Sequence, residues 1–282
     1  MFRTVPTPAT PLVAVAHGSR DPRSARAMAA ALERLRARHP EMDVRLAFLD
    51  LNAPSVGQVI DAIAVGSAAR GATGTAAGHN RVVVVPLLLG SAFHARVDLP
   101  AIIADAQSRH PFLEVITADI LGADDELVAG ARASVAATGV SLSDPDVGVA
   151  LCAVGSRRPE ANAVTTTVAP AVLRGTAWRH ARTCFATAVA EPAERPKDTA
   201  APTVTGAVQE LRDAGARSIV VVPWMLAPGV LWDRVHNAAA ELEESGLVSF
   251  AVPLTAHADL ATVIEARYRD ALANTAPARR IA

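Results

Sequence analysis

Lysine is all but missing from this chain of 282 residues: Lys197 stands alone, and every other of its 27 Lys and Arg positions is arginine. A phosphate-gripping or Schiff-base lysine would have to be Lys197, which sits in the polar run EPAERPKDTA with no glycine-rich loop before it. ATP use is therefore not expected. An excess of one charge is missing too, since the formal net charge is -1, and with it the electrostatic footprint of a nucleic-acid or acidic-membrane binder. Cysteine is scarce. Cys152 and Cys184 lie far apart in sequence and form no CxxC pair, so neither a disulfide framework nor a zinc knuckle or iron–sulfur cluster is indicated. No apolar stretch approaches the ~18 residues of a membrane span, and the proline-broken start MFRTVPTPATP lacks a signal-peptide core. These absences leave a small-molecule partner and a reducing cytoplasm as the expectation.

What is present is an alternation of two periods. Leu12 to Ala16 is a short apolar run of buried-strand length, and Asp21-Pro22 opens RSARAMAAALERLRARHP, where Asp can cap, Pro suits the first helical position and Met28, Leu32 and Leu35 recur at helical spacing. DVRLAFLDL reads as a second strand, PSVGQVIDAIAVG as a helix, RVVVVPLLLG as a buried strand, RVDLPAIIADAQSRH as a helix and FLEVITADIL as a fourth strand. Strands alternating with helices predict an α/β fold with a doubly wound parallel sheet, flavodoxin-like in build.

The pattern then begins again. VGSRRP repeats HGSRDP and SIVVVPWML repeats RVVVVPLLL, and the separation of Gly155 from Gly18 equals that of Pro223 from Pro86. Two motifs sharing one offset indicate an internal duplication. The expected domains are 1–140 and 141–282, joined by the turn-rich segment Thr138–Asp146 and facing each other across a cleft.

In a parallel sheet, ligands bind beyond the carboxyl ends of the strands. His17 falls at the end of the first strand and His94 just past the third, in LGSAFH. Imidazole suits borderline divalent metals and can take up a proton near neutral pH. In the second copy the His17 position holds Val154, and the His94 position holds Leu231 or, with one extra residue, Trp232. A histidine needed for folding should be needed twice; one needed for chemistry, once.

VAVAHGSRDP, RLAFLDLNAPSV and VVVVPLLLGSAFHARVDLP resemble the class II chelatases of the sirohydrochlorin type, the CbiX/SirB family, and VGSRRPEAN with VVVPWMLAPGVLWDRV resembles the degenerate second half of its long, two-domain form. The resemblance implies insertion of a divalent metal (Fe²⁺ first, with Co²⁺ or Ni²⁺ as alternatives) into sirohydrochlorin without ATP, with His17 and His94 holding the incoming ion. The tail NTAPARRIA carries neither a cysteine-bearing cluster motif nor a histidine-rich stretch.

Metal insertion displaces two pyrrole protons, so a ligand and a base are both required, and two neutral imidazoles can share those tasks. The substrate's carboxylates call for arginine, for which Arg20 and Arg96 are candidates. Asp50, ending the second strand, is a candidate proton acceptor or outer metal ligand, or else a turn residue. Ser19 turns the loop, with its hydroxyl free to cap the helix or to contact a substrate carboxylate. His39 and His110 precede prolines at helix ends and suit the helix dipole; His79, His180, His236 and His257 have no ligand partners at recognisable spacing. A duplicated chain supplies both halves of an enclosed site, so a monomer with an internal pseudo-dimer is expected. Three readings compete: a ferrochelatase or cobaltochelatase acting toward siroheme or cobalamin, a metal carrier, and a scaffold. The absence of soft ligands at the first rim disfavours the carrier, and the one-sided histidines disfavour the scaffold.

Overall fold

The computed structural model describes residues 9–72, 80–90, 97–156, 158–190 and 202–275. Five apolar residues, all buried, form β1 (Leu12–Ala16). Asp21 then starts α1 (Pro22–Arg38): its carboxylate accepts the Arg23 N–H at 2.9 Å, and Pro22 fills the first turn, where no N–H is needed. Met28, Ala31, Leu32 and Leu35 form its buried stripe. After these come β2 (Val44–Phe48), α2 (Val56–Ala72), β3 (Arg81–Pro86), α3 (Leu99–Arg109) and β4 (Glu114–Thr117). The strands pair in the order β2-β1-β3-β4, all parallel. Val13 and Val15 of β1, with Val82 and Val84 of β3, meet Val59, Ile60 and Ile63 of α2 and Leu99 and Ile103 of α3 in one core.

Strands two to four are shorter than their apolar runs suggest, because the chain bends away at the carboxyl edge. Pro86 has no N–H with which to continue a ladder, and the Leu88 N–H turns back onto the Pro86 carbonyl at 2.9 Å.

α4 (Asp125–Ala136) precedes a second sheet, built from β5 (Val147–Ala153), α5 (Pro159–Thr166), α6 (Val168–Val172), β6 (His180–Phe185), α7 (Val204–Asp213), β7 (Ser218–Trp224), α8 (Val230–Ala238), α9 (Ala240–Glu244) and β8 (Val248–Phe250), before α10 (Leu260–Thr275) ends the described chain. Its order is β6-β5-β7-β8, again parallel.

The duplication shows in the strand registers and in the turns that follow the first strand of each repeat. Pro86 is the register partner of Val15, and Pro223 that of Cys152, so that both members of the pair are displaced by the same offset. Gly18 and Gly155 share the left-handed region, with φ of 97° and 89°. The offset is not constant, however. The Pro54 carbonyl accepts the Phe48 N–H at 3.0 Å and the Pro202 carbonyl accepts the Phe185 N–H at 2.9 Å. Phe185 stands at the common offset from Phe48, whereas Pro202 stands farther along the chain from Pro54. More residues separate Phe185 from Pro202 than Phe48 from Pro54, and fewer separate Pro202 from β7 than Pro54 from β3.

The compact units do not follow the repeats. One unit runs to Gly122 and resumes at Ala261, while the other spans Ala123–Leu260. The helix after each fourth strand is thus exchanged. In the second unit the buried Ser134 of α4 donates its hydroxyl to the Val252 carbonyl at 2.6 Å and accepts the Val252 N–H at 3.1 Å. In the first, the Tyr268 hydroxyl of α10 donates to the Thr10 carbonyl at 2.7 Å, and Arg267 donates to the Ile120 and Leu121 carbonyls at 3.0 and 2.9 Å. The segment expected as a linker is tied down by Trp178, whose indole N–H donates to the Ser141 carbonyl at 2.9 Å. Among the described residues no helix is long and apolar enough to cross a membrane.

Two outcomes test this packing. Ser134→Ala leaves both Val252 backbone groups without their partner and is expected to cost about 1–3 kcal/mol in urea unfolding. The Asp21 carboxyl is held below its usual range, chiefly by its hydrogen bonds from the Arg23 side chain. A depressed native pKa contributes stability above the unfolded value, near ~3.9, and loses it as the pH falls through the native one. Asp21→Ala is therefore expected to unfold at lower urea than the parent at pH 7, with the gap closing toward about pH 3.

Candidate active site

The site grows from the carboxyl edge of the first sheet. Beyond the ends of β1 and β2 the ladder continues for two more bonds: the Leu49 N–H donates to the Ala16 carbonyl at 2.9 Å and the Asp50 N–H to the His17 carbonyl at 3.0 Å. His17 and Asp50 are therefore neighbours on two adjoining turns, and both are exposed at the rim. Gly18 follows, and a Cβ there would lie 1.8 Å from the Asp50 carbonyl oxygen, so no larger residue fits. On the other turn Leu51 takes φ of 63°, unusual for a residue with a side chain, and its N–H donates to the Asp50 carboxylate at 2.7 Å.

Of the expected site residues the structure brings together His17, Asp50 and Ser19, with Arg20 next along the same exposed loop. Ser19 carries part of its expected turn role: its hydroxyl oxygen accepts the Asp21 N–H at 3.0 Å, leaving the O–H hydrogen to offer elsewhere. His94 and Arg96 fall within 91–96 and lie outside the described residues, as do His79 and Lys197. Asn52 was missed by sequence reasoning. Its side-chain oxygen accepts the Ser19 N–H at 2.7 Å from a different loop, and the only signal was its place in the turn-forming LNAP.

The second repeat keeps the scaffold of this rim. The Thr187 N–H donates to the Val154 carbonyl at 3.0 Å, as Asp50 does to His17, and the Ser156 hydroxyl accepts the Arg158 N–H at 3.1 Å, as Ser19 does that of Asp21. The side chains differ: Val154 and Thr187 stand where His17 and Asp50 stand. Trp232, one of the two residues set against His94, is buried in the second core, edge-on to Phe250 with ring centres 5.8 Å apart.

Three of the histidines outside the first rim have structural partners. His39 meets Glu265 at 2.9 Å, and His110 meets Asp61 at 2.8 Å. Burial pushes His236 below its usual range, packed on Phe250 with ring centres 3.9 Å apart. Cys152 and Cys184 are direct cross-strand partners on β5 and β6, both buried and both free thiols. Hydrogen bonding of the neutral Cys152 S–H toward Cys184, together with burial, pushes the Cys152 thiol far above its ordinary range, so it behaves as a small core residue. Among the described residues no group of three or more His, Cys, Asp or Glu could hold a metal ion.

The chain is 25% identical over 196 residues to a sirohydrochlorin cobaltochelatase from Priestia megaterium, covering 69% of this chain and 57% of that protein. It is 26% identical over 230 residues to a sirohydrochlorin ferrochelatase from Bacillus subtilis (strain 168), covering 81% and 78%. In fold it matches SirB from Bacillus subtilis with Fe³⁺ at a TM-score of 0.75 and 24% identity, over 94% of this chain and 96% of that one. The CbiX family model matches twice, at residues 11–138 and 148–271. Each match covers one repeat, so that nearly the whole chain is accounted for, and the chain belongs to the CbiX family.

Proposed function

We propose that this protein inserts a divalent metal, Fe²⁺ first, into sirohydrochlorin without ATP, and that the chemistry belongs to the first repeat. The observation that carries this reading is the asymmetry between two otherwise matching rims. At the two positions joined by the same backbone bond in both repeats, only the first has a histidine and an aspartate, His17 and Asp50 against Val154 and Thr187. The relatives named as chelatases for iron and for cobalt support the substrate class. The cobalt reading, toward cobalamin, uses the same residues and is separated from the iron reading by the assay below.

The macrocycle gives up two N–H protons as the ion enters. In this reading His17 and His94 deliver the metal, with water completing its shell, so that the ion is held loosely enough to leave. Asp50, just past the strand end and joined to His17 through the backbone, serves as the proton acceptor, and an exposed carboxylate can pass a proton on to water. Arg20 and Arg96 pair with the substrate's carboxylates, and the Ser19 hydroxyl offers them its hydrogen. The second repeat serves as the unreactive partner, the protein acts as a monomer in the cytoplasm, and no nucleic acid or membrane takes part.

Purified protein is to be mixed with sirohydrochlorin and Fe²⁺, Co²⁺ or Ni²⁺ and followed by absorbance. His17→Ala and His94→Ala are each expected to slow insertion by about 10²-fold or more, the scale for a lost ligand or base, while Val154→Ala stays within about twofold, the cost being only a trimmed apolar side chain. Parent protein that inserts none of the three metals, or a His17→Ala variant as fast as the parent, overturns the proposal. Light scattering at micromolar concentration is expected to give the mass of one chain; an obligate dimer would mean that the second repeat has not replaced a partner subunit.

A further inference from the structure

Both rims must solve the same local problem. A left-handed glycine turns the chain sharply after the first strand of each repeat, and the N–H of the serine that follows, Ser19 or Ser156, needs a partner that the ladder no longer supplies. The two repeats solve it from opposite sides. In the second repeat, Asn162 lies on α5, directly after the same turn; its Oδ1 accepts the Ser156 N–H at 2.8 Å and its Nδ2 donates to the Ser156 carbonyl at 2.9 Å. In the first repeat the position equivalent to Asn162 is Ala25, and the acceptor is Asn52, from the turn that carries Asp50. The position equivalent to Asn52 is Val189. One asparagine has been traded for the other.

The second repeat demonstrates that a partner from the turn's own helix is enough to satisfy the serine N–H. The cross-link in the first repeat therefore does something more than satisfy a donor. Asn52 is itself fixed, since its N–H donates to the Asp50 carbonyl at 2.7 Å around the left-handed Leu51. A rigid path thus runs from Asp50 through Asn52 to Ser19, in parallel with the direct bond from Asp50 to His17. Two connections prevent the turns from hinging about one. We infer that Asn52 is a positioning residue, which holds the turn bearing His17 in fixed relation to the turn bearing Asp50. The repeat that has neither an imidazole nor a carboxylate at those places uses the local tie instead. This inference rests on the chelatase reading above, and it concerns only how that site is held.

The test separates holding the site from holding the fold. Asn52→Ala is expected to lower kcat for Co²⁺ insertion by about tenfold or more, the cost of an ångström-scale misplacement, with KM for sirohydrochlorin within about twofold. Asn52→Asp keeps an oxygen that can accept the Ser19 N–H and is expected to recover kcat to within about threefold of the parent. Asn162→Ala breaks the counterpart bond in the other repeat and is expected to leave kcat within about twofold. Ala25→Asn added to Asn52→Ala transplants the local tie and is expected to restore the unfolding temperature without restoring kcat. Recovery of kcat by Ala25→Asn would show that the bond only supports the turn and would overturn the inference. So would an Asn52→Ala variant as fast as the parent, or an Asn52→Asp variant as slow as Asn52→Ala. Parent protein without insertion activity overturns the chelatase reading itself, whereas an active parent with an indifferent Asn52 overturns this inference alone.

Discussion

The close approach of Gly18 to the Asp50 carbonyl is the constraint on which the rim depends. With a Cβ position 1.8 Å from that oxygen, only glycine lets the turn after β1 lie against the turn after β2. Once the turns are in contact, backbone bonds can pass between them beyond the end of the sheet, and an imidazole and a carboxylate distant in sequence become neighbours. The second repeat obeys the same rule at Gly155, where an added Cβ would lie 2.4 Å from the Thr187 hydroxyl and 3.0 Å from the Phe185 Cβ. The constraint is therefore independent of the side chains at the rim: both copies retain it, and only the first carries a histidine and an aspartate there.

Much of the fold was legible because it rests on local signals. A buried apolar run in β1, an Asp-Pro helix start and a helical stripe at Met28, Leu32 and Leu35 each act over a short span of chain, and each appears in the structure where the pattern put it. The repeat was legible because its two motifs are themselves strand ends, where the backbone is most constrained. Strand lengths were less so. An apolar run such as RVVVVPLLLG does not reveal where the ladder gives way to loop, and here a proline and a backbone turn decide it.

What stayed hidden depends on pairing across long separations. Cys152 and Cys184 look unrelated in the sequence, yet a crossover between adjacent parallel strands makes them register partners. Asn52 carries no motif of its own, and its importance comes from a hydrogen bond whose other end lies on a different loop. His17 could be singled out because strand ends are general positions for chemistry; Asn52 could be found only once the two turns were seen together.

The exchanged helices follow from a related constraint. Each sheet needs cover on both faces, and in each repeat the helix that follows the fourth strand belongs to the compact unit built on the other repeat's sheet. α10 is fastened to the first unit by Tyr268 and Arg267 through backbone carbonyls, and α4 to the second by Ser134 through both groups of Val252. Such bonds read shape rather than side-chain identity, so they place little demand on the sequences they join. That tolerance is compatible with a second repeat that carries Val154 and Thr187 in place of His17 and Asp50 while its last helix goes on closing the unit that contains His17 and Asp50.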